Sequence, residues 1–123
     1  MHGALVLGVA AGGALGALSR LLVATICKSW IEGFPIGTFV INVVGCFAFG
    51  LLWTLHDEQW SRPVAAAVFT GFLGAFTTFS TFAFENIELL QAGRTLAFAI
   101  NVLAQNVLGL LAIVVGAAAG RAL

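Results

Sequence analysis

Four long apolar runs separated by short polar interruptions set the pattern of this chain. The runs cover residues 3–26, 37–55, 63–84 and 95–119, and the interruptions fall at 28–33, 56–62 and 85–94. Each run is close to the ~20 residues that cross the hydrocarbon core of a bilayer. Sharp helical periodicity is not required of them, because a helix that meets lipid can be apolar all round. The pattern predicts an all-α membrane protein, a single domain of four transmembrane helices over residues 1–123. The first run is read as a span and not as a cleavable leader. No basic segment precedes it, and Arg20 and Lys28 come at its far end.

Composition agrees with that reading. Charged residues make up 8% of the chain, against roughly 25% in a soluble domain. So little polarity cannot cover a water-facing surface, and nothing in it suggests a nucleic-acid partner. The few charges carry a different message. With four spans, the termini and second loop share one side, which holds Arg62 and Arg121. The other side holds Lys28 and Arg94, with Arg20 inside the first run toward that end. Lys and Arg near the membrane ends set orientation, and here the loops tie. Insertion in both orientations is one outcome; a strong first helix that decides alone is the other. Two inverted copies would resemble the inverted repeats of transporters, made from separate chains.

Small residues mark packing faces. Gly8, Gly12 and Gly16 recur every four residues, and Gly116 and Gly120 repeat the spacing near the other end. Such faces let helix backbones approach closely in lipid, within one subunit or between two. Cys27 and Cys46 have no Cys-x-x-Cys spacing and read as small apolar groups, without a disulfide or metal. His2 and His56 read as solvated.

Polar groups inside the runs are the candidates for function, because they are costly in lipid unless they face protein or water. Arg20 either snorkels to the headgroups or lends positive charge to a vestibule. Asn42 is either glue between helices or a ligand contact, with Thr38 one turn before it. Asn101 and Gln105 share a face of the last run, either along a path or in bonds across helices. No nucleophile, carboxylate pair or metal cluster emerges, and an enzyme is not expected.

The densest cluster is Gly71-Phe-Leu-Gly-Ala-Phe-Thr-Thr-Phe-Ser-Thr-Phe82. Two glycines weaken a helix here, and four hydroxyls compete for its backbone. A broken helix near 74–78 is expected, with freed carbonyls that a cation can satisfy. The alternative is hydroxyls bonding back to their own helix. Beyond it, Phe79 and Phe82 share a face, and Glu85 lies three residues further. The positive edges of the phenyl rings suit an anion path, whereas lipid contact is the ordinary use of such residues.

Three segments together carry a family resemblance. They are Gly12-Gly-Ala-Leu-Gly-Ala-Leu-Ser-Arg20, Gly37-Thr-Phe-Val-Ile-Asn-Val-Val-Gly45, and Gly71 through Phe82 continuing to Ala83-Phe84-Glu85. In this order the chain resembles the Fluc (CrcB) family of fluoride channels. The resemblance implies an antiparallel, dual-topology homodimer in a bacterial plasma or inner membrane. It implies two pores for passive export of fluoride, which protects the cytoplasm. It also implies a structural sodium ion (Na+) at the dimer axis, held by backbone carbonyls that match Gly74 and Thr77. The pore rings match Phe79 and Phe82, the pore asparagine Asn42, and the vestibule arginine Arg20. Ser80 and Thr81 match hydroxyls near the ion path, and Glu85 a glutamate beside it. Ala83 departs from a frequent serine, and the last run has no hydroxyl after Thr95. A small dual-topology drug or cation exporter would need a carboxylate in the first run, which has none. A non-transporting membrane subunit would leave the hydroxyl and phenylalanine cluster without a purpose.

Overall fold

A computed structural model describes residues 2–56 and 60–123; residues 57–59, part of the second polar interruption, lie outside the described residues. All regular structure among the described residues is helical. Four helices are long and apolar enough to cross a membrane: His2–Cys27, Ile36–Leu55, Arg62–Gln91 and Thr95–Ala122. They are called here the first to fourth spans. The third exceeds its expected end at residue 84. The sequence Glu85–Gln91 stays helical because Asn86 and Leu89 turn inward and are buried, while Glu88 and Gln91 face outward. Only residues 92–94 turn, at Gly93 with its positive φ of 72°.

The spans pair in two sets. The first packs along the first half of the third, and the second packs along the fourth. Both interfaces are backbone approaches made possible by glycine. A Cβ at Gly12 would overlap the Ala67 carbonyl oxygen, and one at Gly16 the Phe72 carbonyl oxygen. In the other pair, a Cβ at Gly50 would overlap the Ile113 carbonyl, and one at Gly116 the Phe47 carbonyl. The four-residue glycine spacing of the first span thus serves packing within one subunit.

Loop contacts agree with four alternating spans. The Arg94 guanidinium donates to the Gly33 carbonyl, which ties the first loop to the third. His2 and Leu5 border the same small cavity as Arg62 and Pro63, which places the start of the first span beside the second loop. His56 is not a solvated loop histidine as expected. Its ring packs among Trp53, Trp60 and Phe69, with centroids 5.4–6.1 Å away. Aromatic rings at the end of a span form the kind of belt that sits at headgroup level.

The third span is irregular. Its Ala66–Leu73 stretch is π-helical, a form concentrated at functional sites. A short α-helical stretch, Gly74–Phe76, follows. Thr77 (φ −78°, ψ 158°) and Thr78 (φ −152°, ψ 116°) are extended, and Phe79–Gln91 is helical again.

Candidate functional site

The extended pair Thr77–Thr78 is held by side chains that take over helical hydrogen bonds. In an unbroken helix the Thr78 N–H would donate to the Gly74 carbonyl. It donates instead to Asn42 Oδ1 at 2.9 Å. The Thr81 N–H would likewise donate to the Thr77 carbonyl, yet it donates to Thr78 Oγ1 at 3.3 Å. The carbonyls of Gly74 and Thr77 therefore both lose their helical donors. Thr78 becomes the N-cap of the following helix, the position where a Thr side chain satisfies an orphan N–H. Its hydroxyl also donates to Thr81 Oγ1 at 3.0 Å and lies 3.4 Å from Ser80 Oγ. The Thr77 hydroxyl bonds back to its own helix, donating to the Leu73 carbonyl at 3.0 Å.

Asn42 clasps Thr78 from the second span. Besides accepting from the Thr78 N–H, its Nδ2 donates to the Thr78 carbonyl at 3.1 Å and to Gln105 Oε1 at 2.8 Å. Both of its N–H groups are thereby engaged. Gly45, one turn further along the same helix, leaves room for the Thr77 methyl; a Cβ there would overlap Thr77 Cγ2.

Phe79 and Phe82 are adjacent, with centroids 5.5 Å apart and planes tilted by 49°. They differ sharply in exposure within one subunit. Phe82 is 8% exposed and Phe79 78% exposed. Ser80, Thr81 and Gly74 are exposed beside Phe79. A groove of about 370 Å³ opens here, with Asn42, Gly74, Thr77, Thr78 and Phe79 in its wall. A larger groove, between the first loop and the start of the fourth span, is lined mainly by apolar residues such as Ile31, Phe34 and Leu96. It holds none of the expected site residues.

Glu85 lies on the helix that follows. Thr38 Oγ1 donates to its Oε1 at 2.7 Å, and its Oε2 is buried without a partner among the described residues. Arg20 is half-buried on the first span, whose main packing partner is the first half of the third. The structure thus brings Asn42, Thr77, Thr78, Ser80, Thr81, Phe79 and Phe82 together. Asn101 and Gln105, undecided from sequence, are bonded across helices. Asn86 escaped sequence reasoning altogether. Its one signal is a position four residues after Phe82, from which an Asn side chain reaches the i−4 carbonyl, here at 2.9 Å.

Comparison with known proteins places this geometry. The family model described as "CrcB-like protein, Camphor Resistance (CrcB)" matches residues 7–117. The chain belongs to the CrcB family. Among its relatives, a protein of Maridesulfovibrio salexigens is 44% identical over 116 residues, covering 92% of each chain. One from Nitratidesulfovibrio vulgaris is 44% identical over 112 residues, covering 89% of this chain and 90% of the relative. One from Vibrio cholerae is 43% identical over 111 residues, covering 88% of both. All three are named "Fluoride-specific ion channel FluC". The CrcB match includes the extended pair, the two phenylalanines and Asn42, so the cluster lies within the segment that defines membership.

Proposed function

We propose that this CrcB chain is a fluoride-selective ion channel that exports fluoride passively from a bacterial cell across its plasma or inner membrane. The observation that carries the reading is the surface beside Thr77–Thr78. In one subunit Ser80, Thr81 and the Phe79 ring are exposed next to the half-buried Thr77, within a span. Lipid offers the two hydroxyls no hydrogen-bond partners. A second copy of the chain and an ion path can supply them.

The second copy is inverted. The tied loop charges support dual insertion, and an antiparallel homodimer brings two exposed surfaces face to face. The third helix then acts as a broken membrane helix at the centre of the dimer. The donor set there fits a cation: the Gly74 and Thr77 carbonyls have lost their helical N–H partners to side chains. Those two residues from each subunit would hold a structural sodium ion, whose charge would offset four carbonyl dipoles at the axis.

Beyond the break, the path runs past the edges of Phe79 and Phe82. The Ser80 and Thr81 hydroxyls lie at the N-terminus of the helix, where the backbone dipole favours an anion. Fluoride is small and strongly hydrated, and several weak donors must replace its water shell in turn. Binding has to be strong enough for entry and weak enough for exit. Asn42 borders the path and holds the break's backbone. Glu85 lies beside it further along the helix, and Arg20 attracts anions to a vestibule. No bond is made or broken.

Purified protein in liposomes tests this reading. An outward fluoride gradient should collapse within the assay while a chloride gradient persists. Fluoride retention by vesicles containing folded dimers would overturn it.

A further inference from the structure

Side-chain amides from three spans form one ordered chain beside the proposed path. The Thr78 N–H donates to Asn42 Oδ1 at 2.9 Å, and Asn42 Nδ2 donates to Gln105 Oε1 at 2.8 Å. Gln105 Nε2 donates to Asn101 Oδ1 at 2.9 Å, and Asn101 Nδ2 to Asn86 Oδ1 at 3.0 Å. Asn86 Nδ2 ends the chain on the Phe82 carbonyl at 2.9 Å. Along these five bonds every donor points the same way, and the other Asn42 N–H turns back to the Thr78 carbonyl at 3.1 Å. The chain leaves the third span at the extended residue Thr78 and passes through the second and fourth spans. It returns to the third span at Phe82, four residues later.

The direction is fixed by its ends. An amide side chain can turn over and exchange its oxygen and nitrogen. A backbone N–H and a backbone C=O cannot. With the Thr78 N–H at one end and the Phe82 carbonyl at the other, only one orientation of all four amides satisfies every contact. Turning any one of them sets N–H against N–H and oxygen against oxygen. Burial agrees: Asn101 is 0% exposed, Asn86 5% and Gln105 8%. None of the three presents a face to the groove that runs beside Thr78 and Phe79.

We infer that Gln105, Asn101 and Asn86 are positioning residues of the anion path. They touch no ion. They fix the Asn42 amide, and through it they hold the extended Thr77–Thr78 backbone and the Phe82 turn in one mutual orientation. This gives the polar face of the fourth span a role other than lining the path. The inference rests on the fluoride-channel reading only for its transport readout.

Two measurements on the full-length protein test it. The first is amide hydrogen exchange over residues 76–82 in monodisperse detergent-solubilised protein. Gln105→Met keeps the side chain's length and removes its amide; Asn101→Leu removes the next link. Each should speed exchange there by about tenfold. Asn106→Leu should leave it unchanged, because Asn106 is exposed and, among the described residues, bonds only to the Val102 carbonyl of its own helix. Unchanged exchange in Gln105→Met would overturn the inference, even should Asn101→Leu fail to fold.

The second measurement is a cycle of fluoride flux per reconstituted protein with Asn42→Ala, Gln105→Met and both together. Residues that act through one another are non-additive. The double variant should conduct no more slowly than the slower single variant. Independent multiplication of the two defects would mark Gln105 as a separate contact on the ion path and overturn its positioning role. A wild-type protein that passes no fluoride would reject the channel reading, while the exchange result would still decide what the amides do.

Discussion

Individual side chains divide between holding backbone and meeting whatever passes. Asn42 holds backbone, with three hydrogen bonds split between Thr78 and Gln105. An interhelical hydrogen bond in a membrane contributes only ~0.6 kcal/mol on average, whereas a buried group left without its partner costs ~1–3 kcal/mol. Asn42→Ala strands the Thr78 N–H, so destabilisation of ~1–3 kcal/mol is expected, read as a lower melting temperature in detergent. A melting curve that matches the wild type would show that water fills the gap. Phe79 and Phe82 separate differently. Phe82→Ile should lower both fluoride flux and subunit stability, since that ring is buried within the chain. Phe79→Ile should lower flux by about tenfold with the subunit's own fold intact, because the ring projects from it. Normal flux in both variants would remove the phenyl edges from the ion path.

Elements are set by how closely backbones meet. The first span approaches the π-helical stretch of the third through Gly12 and Gly16, with no space for a Cβ at either. Gly16→Val would press a branched side chain into the Phe72 backbone. Overpacking of this kind costs ~1–3 kcal/mol, and a comparably lower detergent melting temperature is expected. Gly3→Ala is the matched control, since none of the described residues lies within 4 Å of its Cβ position. Equal melting shifts for the two would mean that this interface yields readily. The close approach has a functional reach as well, because the π-helical stretch leads directly into Gly74 and the extended pair.

For the whole molecule, the proposed function turns on the surface that one chain leaves open. One subunit leaves Phe79, Ser80 and Thr81 exposed around a groove at the middle of a membrane helix. The proposed inverted partner covers that surface, and the proposed sodium ion joins the two extended pairs. Replacing sodium with a large organic cation should therefore weaken the dimer and slow fluoride flux together. An unaffected dimer and unaffected flux would count against Gly74 and Thr77 as the ion's ligands. Outward-facing residues such as Leu15, Leu22, Leu103 and Leu110 are exposed in the subunit, as apolar side chains are when lipid is the solvent.

Run length and low charge by themselves determined four membrane helices, because a bilayer imposes ~20 apolar residues on each crossing. Local chemistry also marked the place where the third helix would be disturbed: Gly71, Gly74 and four hydroxyls all weaken helical hydrogen bonding. The motifs identified the family. Tertiary structure alone decided the rest, since each answer depends on residues far apart in sequence. The helix yields at Thr77–Thr78 because Asn42, 36 residues away, captures the Thr78 N–H. The first-span glycines pack on their own subunit because Ala67 and Phe72 lie against them. Asn101 and Gln105 were ambiguous because an amide can line a path or join helices with the same groups. Which one it does is set by the partner that the fold brings within 3 Å, and here the partners are other amides.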